Sequence, residues 1–100
     1  MQDMLDVLEA IIADRRRHPV AGSYTCELFA GGRTKIAQKV GEEAVEVVIA
    51  ALSQGRDDQL NELADLFYHT LVLMGELDLS LDDLRQRLRE RHQPSGESQH

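Results

Sequence analysis

The chain has 100 residues, of which 42% are hydrophobic and 4% aromatic; this suits one small domain with an aliphatic core and excludes a second. A formal net charge of −7 excludes general electrostatic affinity for nucleic acid or anionic membranes. A single cysteine, Cys26, excludes an intrachain disulfide and a cysteine-built metal site. We therefore expect a cytoplasmic protein without a signal peptide or a membrane-spanning helix.

Helical spacing of apolar residues predicts four helices and no strand. The first helix ends in a basic turn, residues 15 to 17, ahead of Pro19. The following segment, "PVAGSYTCELFAGG" at residues 19–32, reads as a loop in which "CELFA" could hold a short helical turn. The second and third helices are predicted over about residues 33–53 and 57–77, with Gly55 ending the second and Asp57 or Asp58 capping the third.

Ser80 is the predicted N-cap of the fourth helix, "LDDLRQRLRERH", whose acidic residues come first and whose arginines follow, as the helix dipole prefers. We assign residues 1–92 to one all-α domain. The polar tail "QPSGESQH", residues 93–100, is expected to be disordered.

The two central helices carry their charges on one face each. On the second helix, five charged side chains fall within about 100° of arc, opposite an apolar face; they are Lys35, Lys39, Glu42, Glu43 and Glu46. The third helix is apolar almost all round, and Glu62, Asp65, His69 and Glu76 lie on one line within about 60°. A helix of this kind must be buried on most sides, so we expect it to pack across the interface of a two-fold homodimer.

The carboxylates of these two helices have matched spacing. Glu43 and Glu46 are related by i,i+3, as are Glu62 and Asp65. Only residues 47–61 separate the two groups, so an antiparallel helical hairpin would bring them to one level. Because gathered carboxylates repel one another, the pattern indicates a divalent cation, and ligands that are all oxygen favour Mg²⁺, with Mn²⁺ as a substitute.

Cations on the same helix suggest that the metal would hold phosphate. Lys39 and Lys35 lie one and two turns ahead of the glutamates, and Arg33 lies in the turn before them. The alternative is a solvated acidic face with ordinary Lys-to-Glu pairs. His69, one turn beyond Asp65, could orient a ligand carboxylate, touch substrate, or be satisfied inside the interface.

The motif "EEAVE" followed by "ELAD" resembles the E-E-x-x-E…E-x-x-D metal-binding signature of the all-α, MazG-type nucleotide pyrophosphohydrolases. Within that group, "SYT" at 23–25, "KIAQKVGEEAVEVVIAA" at 35–51 and "ADLFYH" at 64–69 resemble the phosphoribosyl-ATP pyrophosphatase family, over residues 1 to about 92. The resemblance implies hydrolysis of the α–β phosphoanhydride of phosphoribosyl-ATP, a step of histidine biosynthesis, with Mg²⁺ required.

The resemblance also implies residue roles. Glu43, Glu46, Glu62 and Asp65 would hold the metal, and Glu42 would position or deprotonate the attacking water. The helical wheel alone does not identify the base among the three clustered glutamates. Ser23, Tyr24 and Thr25 would contact substrate, or would form only a capping and turn segment.

Two other functions fit parts of the pattern. A house-cleaning pyrophosphatase acting on free or damaged nucleoside triphosphates would share the metal site but not the "SYT" loop. A helical dimer serving only as an interaction module would carry the same acidic face without a metal. The two enzymes differ in substrate, whereas the module would show no Mg²⁺ response that depends on Glu46 and Asp65.

Overall fold

A computed structural model describes residues 3–93, which form five α-helices and, within those residues, no strand. The helices are α1 Met4–Arg17, α2 Tyr24–Gly31, α3 Arg33–Ser53, α4 Arg56–Glu76 and α5 Leu81–Arg91. The predicted all-α class is confirmed, but the predicted number of four helices is wrong. The tail, residues 93–100, was expected to be disordered. Residues 94–100 lie outside the described residues, so that expectation stays a prediction.

The additional helix, α2, forms inside the segment that was predicted to be mainly loop. The Ser23 side chain caps it by accepting a hydrogen bond from the Cys26 backbone N–H at 3.2 Å. Gly32 ends it with φ of 90°, a left-handed conformation that glycine adopts without a Cβ clash. Thr25 and Leu28 on its inner face are buried, so packing stabilises a helix too short to persist alone.

The long helices α3 and α4 contact each other more than any other pair does. Residues 54 and 55 connect them, and Gln59 of α4 donates from Nε2 to the backbone oxygens of Ala50 at 3.2 Å and Gln54 at 2.9 Å. Gly55 is the N-cap of α4. The predicted cap at Asp57 or Asp58 is therefore wrong: both lie inside the first turn, where their charges favour the helix dipole instead.

The buried core lies at the end of the α3–α4 pair remote from residues 54–55, where α1 and α2 pack against the pair. Its members are aliphatic side chains from all five helices: Ile12, Leu28, Ile36, Leu71, Val72 and Leu81. The predicted Ser80 cap of α5 is confirmed, and it forms a reciprocal capping box with Asp83. Leu81 anchors α5 further by donating its backbone N–H to Glu9 Oε2 at 2.7 Å.

The other half of the α3–α4 pair is apolar but exposed. Seven side chains there are between 40 and 83% exposed, and we call them the α3–α4 apolar face: Val45, Val48, Ile49, Leu52, Leu60, Leu63 and Phe67. They recur at intervals of three and four residues, so each helix contributes one continuous stripe. None of the helices within residues 3–93 is long and apolar enough to cross a membrane.

Candidate active site

Three carboxylates from α3 and α4 converge at the middle of the helix pair. Ligand oxygens of Glu43, Glu62 and Asp65 all lie within 4.8 Å of one another. Glu43 comes from α3, and the other two residues, one helical turn apart, come from α4. Glu43 and Glu62 are half-buried and Asp65 is exposed, so the cluster opens to solvent on one side. Carboxylate oxygens at this separation suit a hard divalent cation.

The electrostatics of the cluster fit a cation as well. Partial burial and then the negative charges of Glu46, Asp65 and Glu43 raise the pKa of Glu62 above its ordinary value. A divalent cation would remove this repulsion. Glu46, the fourth predicted ligand, is exposed and lies outside the group of three, but its charge is the strongest of those that act on Glu62.

Lys39 lies next to the cluster and is shared between two glutamates. Its Nζ is 3.3 Å from Glu42 Oε1 and 3.8 Å from Glu43 Oε2. The bond to Glu42 and the proximity of Tyr24 raise the pKa of Lys39, which keeps the ammonium charged. The structure thus places a cation directly beside the carboxylates, as predicted from the sequence.

Glu42 lies outside the group of three clustered carboxylates and has other partners. Its Oε2 accepts a hydrogen bond from Gln38 Nε2 at 2.9 Å, and its Oε1 faces Lys39. Both contacts lower the pKa of Glu42 and keep its carboxylate ionised, and the hydrogen bond from Gln38 has the larger effect. Sequence reasoning missed Gln38, although its i,i+4 spacing from Glu42 was a usable signal.

The other predicted cations lie farther along α3. Arg33 precedes Glu43 by ten residues, a rise of about 15 Å along the helix. Its Nε is 3.7 Å from Glu76 Oε2, at the end of the pair remote from the connection. Lys35 is exposed, and its charge is the weakest of the influences that lower the pKa of Glu42. The structure does not bring either residue to the carboxylates.

The "SYT" segment and His69 form a second group of contacts, between α2 and α4. Tyr24 Oη is 3.0 Å from His69 Nε2, and His69 Nδ1 is 2.7 Å from the Asp65 backbone oxygen. Thr25 Oγ1 shares a short hydrogen bond with Tyr68 Oη. Burial raises the pKa of Tyr68, which is partly buried and packs against the core. No local sequence pattern predicts the contact between Thr25 and Tyr68, which are 43 residues apart.

Together, the fold and this site define an all-α protein that carries clustered carboxylates on a pair of adjacent helices. Residues 5–92 match the family described as "Phosphoribosyl-ATP pyrophosphohydrolase". The chain belongs to this family, which confirms the resemblance read from the sequence motifs.

Relatives of the chain carry corresponding names. It is 52% identical over 91 residues to the "Phosphoribosyl-ATP pyrophosphatase" of Metallosphaera sedula, an alignment covering 91% of this chain and 98% of that protein. The protein of the same name from Clostridium acetobutylicum is 42% identical over 91% of this chain and 83% of its own length. The "Histidine biosynthesis bifunctional protein HisIE" of Lactococcus lactis is 46% identical over 94% of this chain but only 44% of its own length.

Proposed function

We propose that the chain hydrolyses phosphoribosyl-ATP to phosphoribosyl-AMP and pyrophosphate, as a cytoplasmic step of histidine biosynthesis. The observation that carries the proposal is the convergence of Glu43, Glu62 and Asp65 beside Lys39, in a chain whose family and relatives are named for this reaction. Water adds across the α–β anhydride: its oxygen bonds to one phosphorus, and the bridging oxygen leaves with the other. Two protons of the water are distributed to the products and the solvent.

Glu43, Glu62 and Asp65 are the proposed ligands of Mg²⁺, and Glu46, whose charge acts on Glu62, is the proposed fourth. A divalent cation bound there supplies positive charge to the phosphate oxygens, whose charge is redistributed in the transition state. The donor set supports this, because it contains only oxygens and because its negative charges repel one another without a counter-ion.

Lys39 and Glu42 are the proposed phosphate-binding residue and general base. In the structure, Lys39 forms ion pairs with both Glu42 and Glu43. A phosphate that attracts the Lys39 ammonium would weaken its contact with Glu42, and the pKa of Glu42 would rise. Glu42 would therefore become a stronger base for the attacking water when substrate is bound. Lys35 and Arg33, farther along α3, are proposed to contact the distant parts of the substrate.

Pyrophosphate release by the purified chain tests the reaction. With Mg²⁺ present, phosphoribosyl-ATP should be hydrolysed in strong preference to ATP, dCTP and dUTP. Activity on the free triphosphates alone would assign the chain to house-cleaning hydrolysis. If the chain has no activity on any of these substrates, the result would favour the hypothesis that it is a helical interaction module with a solvated acidic face.

Thermal unfolding with and without Mg²⁺ tests the metal ligands separately from turnover. Binding to the folded state alone raises the melting temperature, and at 100 times Kd it stabilises by about 2.7 kcal/mol. Asp65→Asn should abolish the Mg²⁺-dependent increase. The matched control is Asp57→Asn, the same change on an exposed residue in the first turn of α4, and it should leave the increase intact. Equal Mg²⁺ responses in both variants would show that Asp65 is not a ligand.

We also infer that two copies of the chain pair through the α3–α4 apolar face. Seven large side chains at least 40% exposed form one continuous surface there, in a chain with a formal charge of −7 that otherwise favours solubility. A two-fold axis would place like stripes against each other, and the four long helices would form a bundle. Sedimentation should therefore give a mass of twice the 11.3 kDa chain.

A further inference from the structure

The three side chains of the "SYT" segment have different environments. The Ser23 hydroxyl is used as the cap of α2. The Thr25 hydroxyl is buried and bonded to Tyr68. Tyr24, by contrast, is 47% exposed, and its ring lies against the rings of Tyr68 and His69. Of the three, only Tyr24 therefore combines an exposed side chain with a hydroxyl held in a defined position.

His69 determines how the Tyr24 hydroxyl is oriented. The ring of His69 is only 6% exposed, and both of its nitrogens have partners. Nδ1 must carry the hydrogen, because its partner, the Asp65 backbone oxygen, can only accept. In the neutral ring, Nε2 then accepts, so the Tyr24 hydroxyl donates its hydrogen to His69 and turns its lone pairs outward.

The Tyr24 hydroxyl also lies near the proposed site of chemistry. Tyr24 is close enough to Lys39 to influence it electrostatically, and Lys39 touches Glu42 and Glu43. The partner of Tyr24, His69, is bonded to the backbone of Asp65, one of the three clustered carboxylates. The α2 segment is thereby tied to the same short stretch of α4 that supplies the carboxylates.

We propose that Tyr24 contacts the substrate as a hydrogen-bond acceptor and that His69 is the positioning residue that fixes it in this role. The inference rests on the proposed function and deepens it. Phosphate oxygens are acceptors and cannot satisfy the outward lone pairs of Tyr24, whereas hydroxyl groups of a ribose are donors. Tyr24 therefore accepts from a donor group of the nucleotide, assigned in this proposal to a ribose hydroxyl, and the phosphates are left to the lysine and the metal.

A double-mutant cycle with phosphoribosyl-ATP tests this dependence. Tyr24→Phe and His69→Leu should each lower kcat/KM by the contribution of one hydrogen bond, on the order of 3- to 10-fold. Because His69 acts through Tyr24, the double variant should lose no more than Tyr24→Phe alone. His69→Gln retains an acceptor and should recover part of the activity. Additive losses, or an unchanged Tyr24→Phe, would overturn the proposal.

Tyr68→Phe is the matched control. It removes a hydroxyl that also bridges α2 and α4, in the adjacent ring, but one that points to Thr25 rather than to solvent. Its kcat/KM should stay within about 2-fold of the native value, the lower limit of a hydrogen-bond effect, even if its melting temperature falls. A loss equal to that of Tyr24→Phe would mean that the α2–α4 contact serves only for stability, which overturns the proposal.

Nitrogen-15 NMR of the histidine rings tests the positioning without turnover. His69 should show a protonated Nδ1 and an acceptor Nε2, and the Nε2 shift should change in Tyr24→Phe but not in Tyr68→Phe. The opposite tautomer would overturn the role of His69. A native chain with this tautomer but no activity on phosphoribosyl-ATP would overturn the ribose contact together with the proposed function, whereas an active chain with unaffected variants would overturn this inference alone.

Discussion

Val48→Glu is the substitution that most directly tests pairing through the α3–α4 apolar face. Val48 is 56% exposed in the single chain and lies among six other exposed apolar side chains. In an isolated chain, glutamate at this position meets water and has a better intrinsic helix propensity than valine. The fold should therefore tolerate the change. In a two-fold dimer, the same change introduces two carboxylates into an apolar contact.

The magnitude follows from the exposure of Val48. About half of its side chain remains to be buried by a partner, which is worth about 1 kcal/mol per copy. Desolvation of an unpaired carboxylate adds several kcal/mol per ion. Even 2 kcal/mol per copy gives about 4 kcal/mol per dimer, so the dimer Kd should increase by about 1000-fold.

Sedimentation velocity over a range of concentrations provides the assay. The native chain should sediment as a dimer and Val48→Glu as a monomer with unchanged helical circular dichroism. Val20→Glu is the matched control, because Val20 is 47% exposed but lies between α1 and α2, away from this face. The reasoning would be refuted by a Val48→Glu variant that dimerises like the native chain, or by a Val20→Glu variant that also dissociates.

Three further predictions concern folding and pH. Ile36 is 0% exposed, so Ile36→Ala should lower the free energy of unfolding by about 2–5 kcal/mol in urea titrations and Ile36→Val by about 0.5–1.5; equal losses would contradict a close-packed site. Burial raises the pKa of Tyr68 in the folded chain. The stabilisation that the protonated hydroxyl contributes is therefore complete below the pKa of the unfolded chain, about 10, and is lost as pH rises through the pKa of the folded chain. Melting temperatures from pH 8 to 11.5 should fall less steeply in Tyr68→Phe than in the native chain. Ser80→Ala removes the capping box of α5 and should cost about 1 kcal/mol of unfolding free energy, whereas no change would mean that α5 does not unfold with the core.

Helical periodicity predicted the long elements well because each has a clear apolar face and recognisable ends. The basic turn at residues 15–17 and the N-cap at Ser80 stand where the structure has them. The short helix α2 was predicted only as a short turn that "CELFA" could hold, although Ser23 and Gly32 are ordinary helix-boundary signals. Its eight residues are rich in small side chains and flanked by glycine, and it depends on burial of Leu28 against other helices, which local sequence does not reveal.

The site was predictable in composition but not in orientation. A helical wheel places Glu42, Glu43 and Glu46 within about 100° of one another. It does not determine which of them faces the next helix, because that depends on how the two helices are rotated against each other. In the structure Glu43 faces α4, whereas Glu42 turns toward Gln38 and Lys39. Contacts such as Tyr24 with His69, 45 residues apart, depend on tertiary packing and have no counterpart in a local pattern.

The two-residue connection between α3 and α4 has a consequence for how the chain tolerates changes in length. Loops are normally the places where insertions do least harm. Here, one residue added where α3 ends or where α4 begins would extend that helix, which turns the chain by about 100° and shifts it by about 1.5 Å. Glu62 and Asp65 would then move away from Glu43. The length of the connection at residues 54 and 55 thus sets the register of the carboxylates. The hydrogen bonds from Gln59 to the end of α3 hold this connection in place. Peptide tags and reporter insertions therefore belong in the segment ahead of α2, where added length leaves this register unchanged.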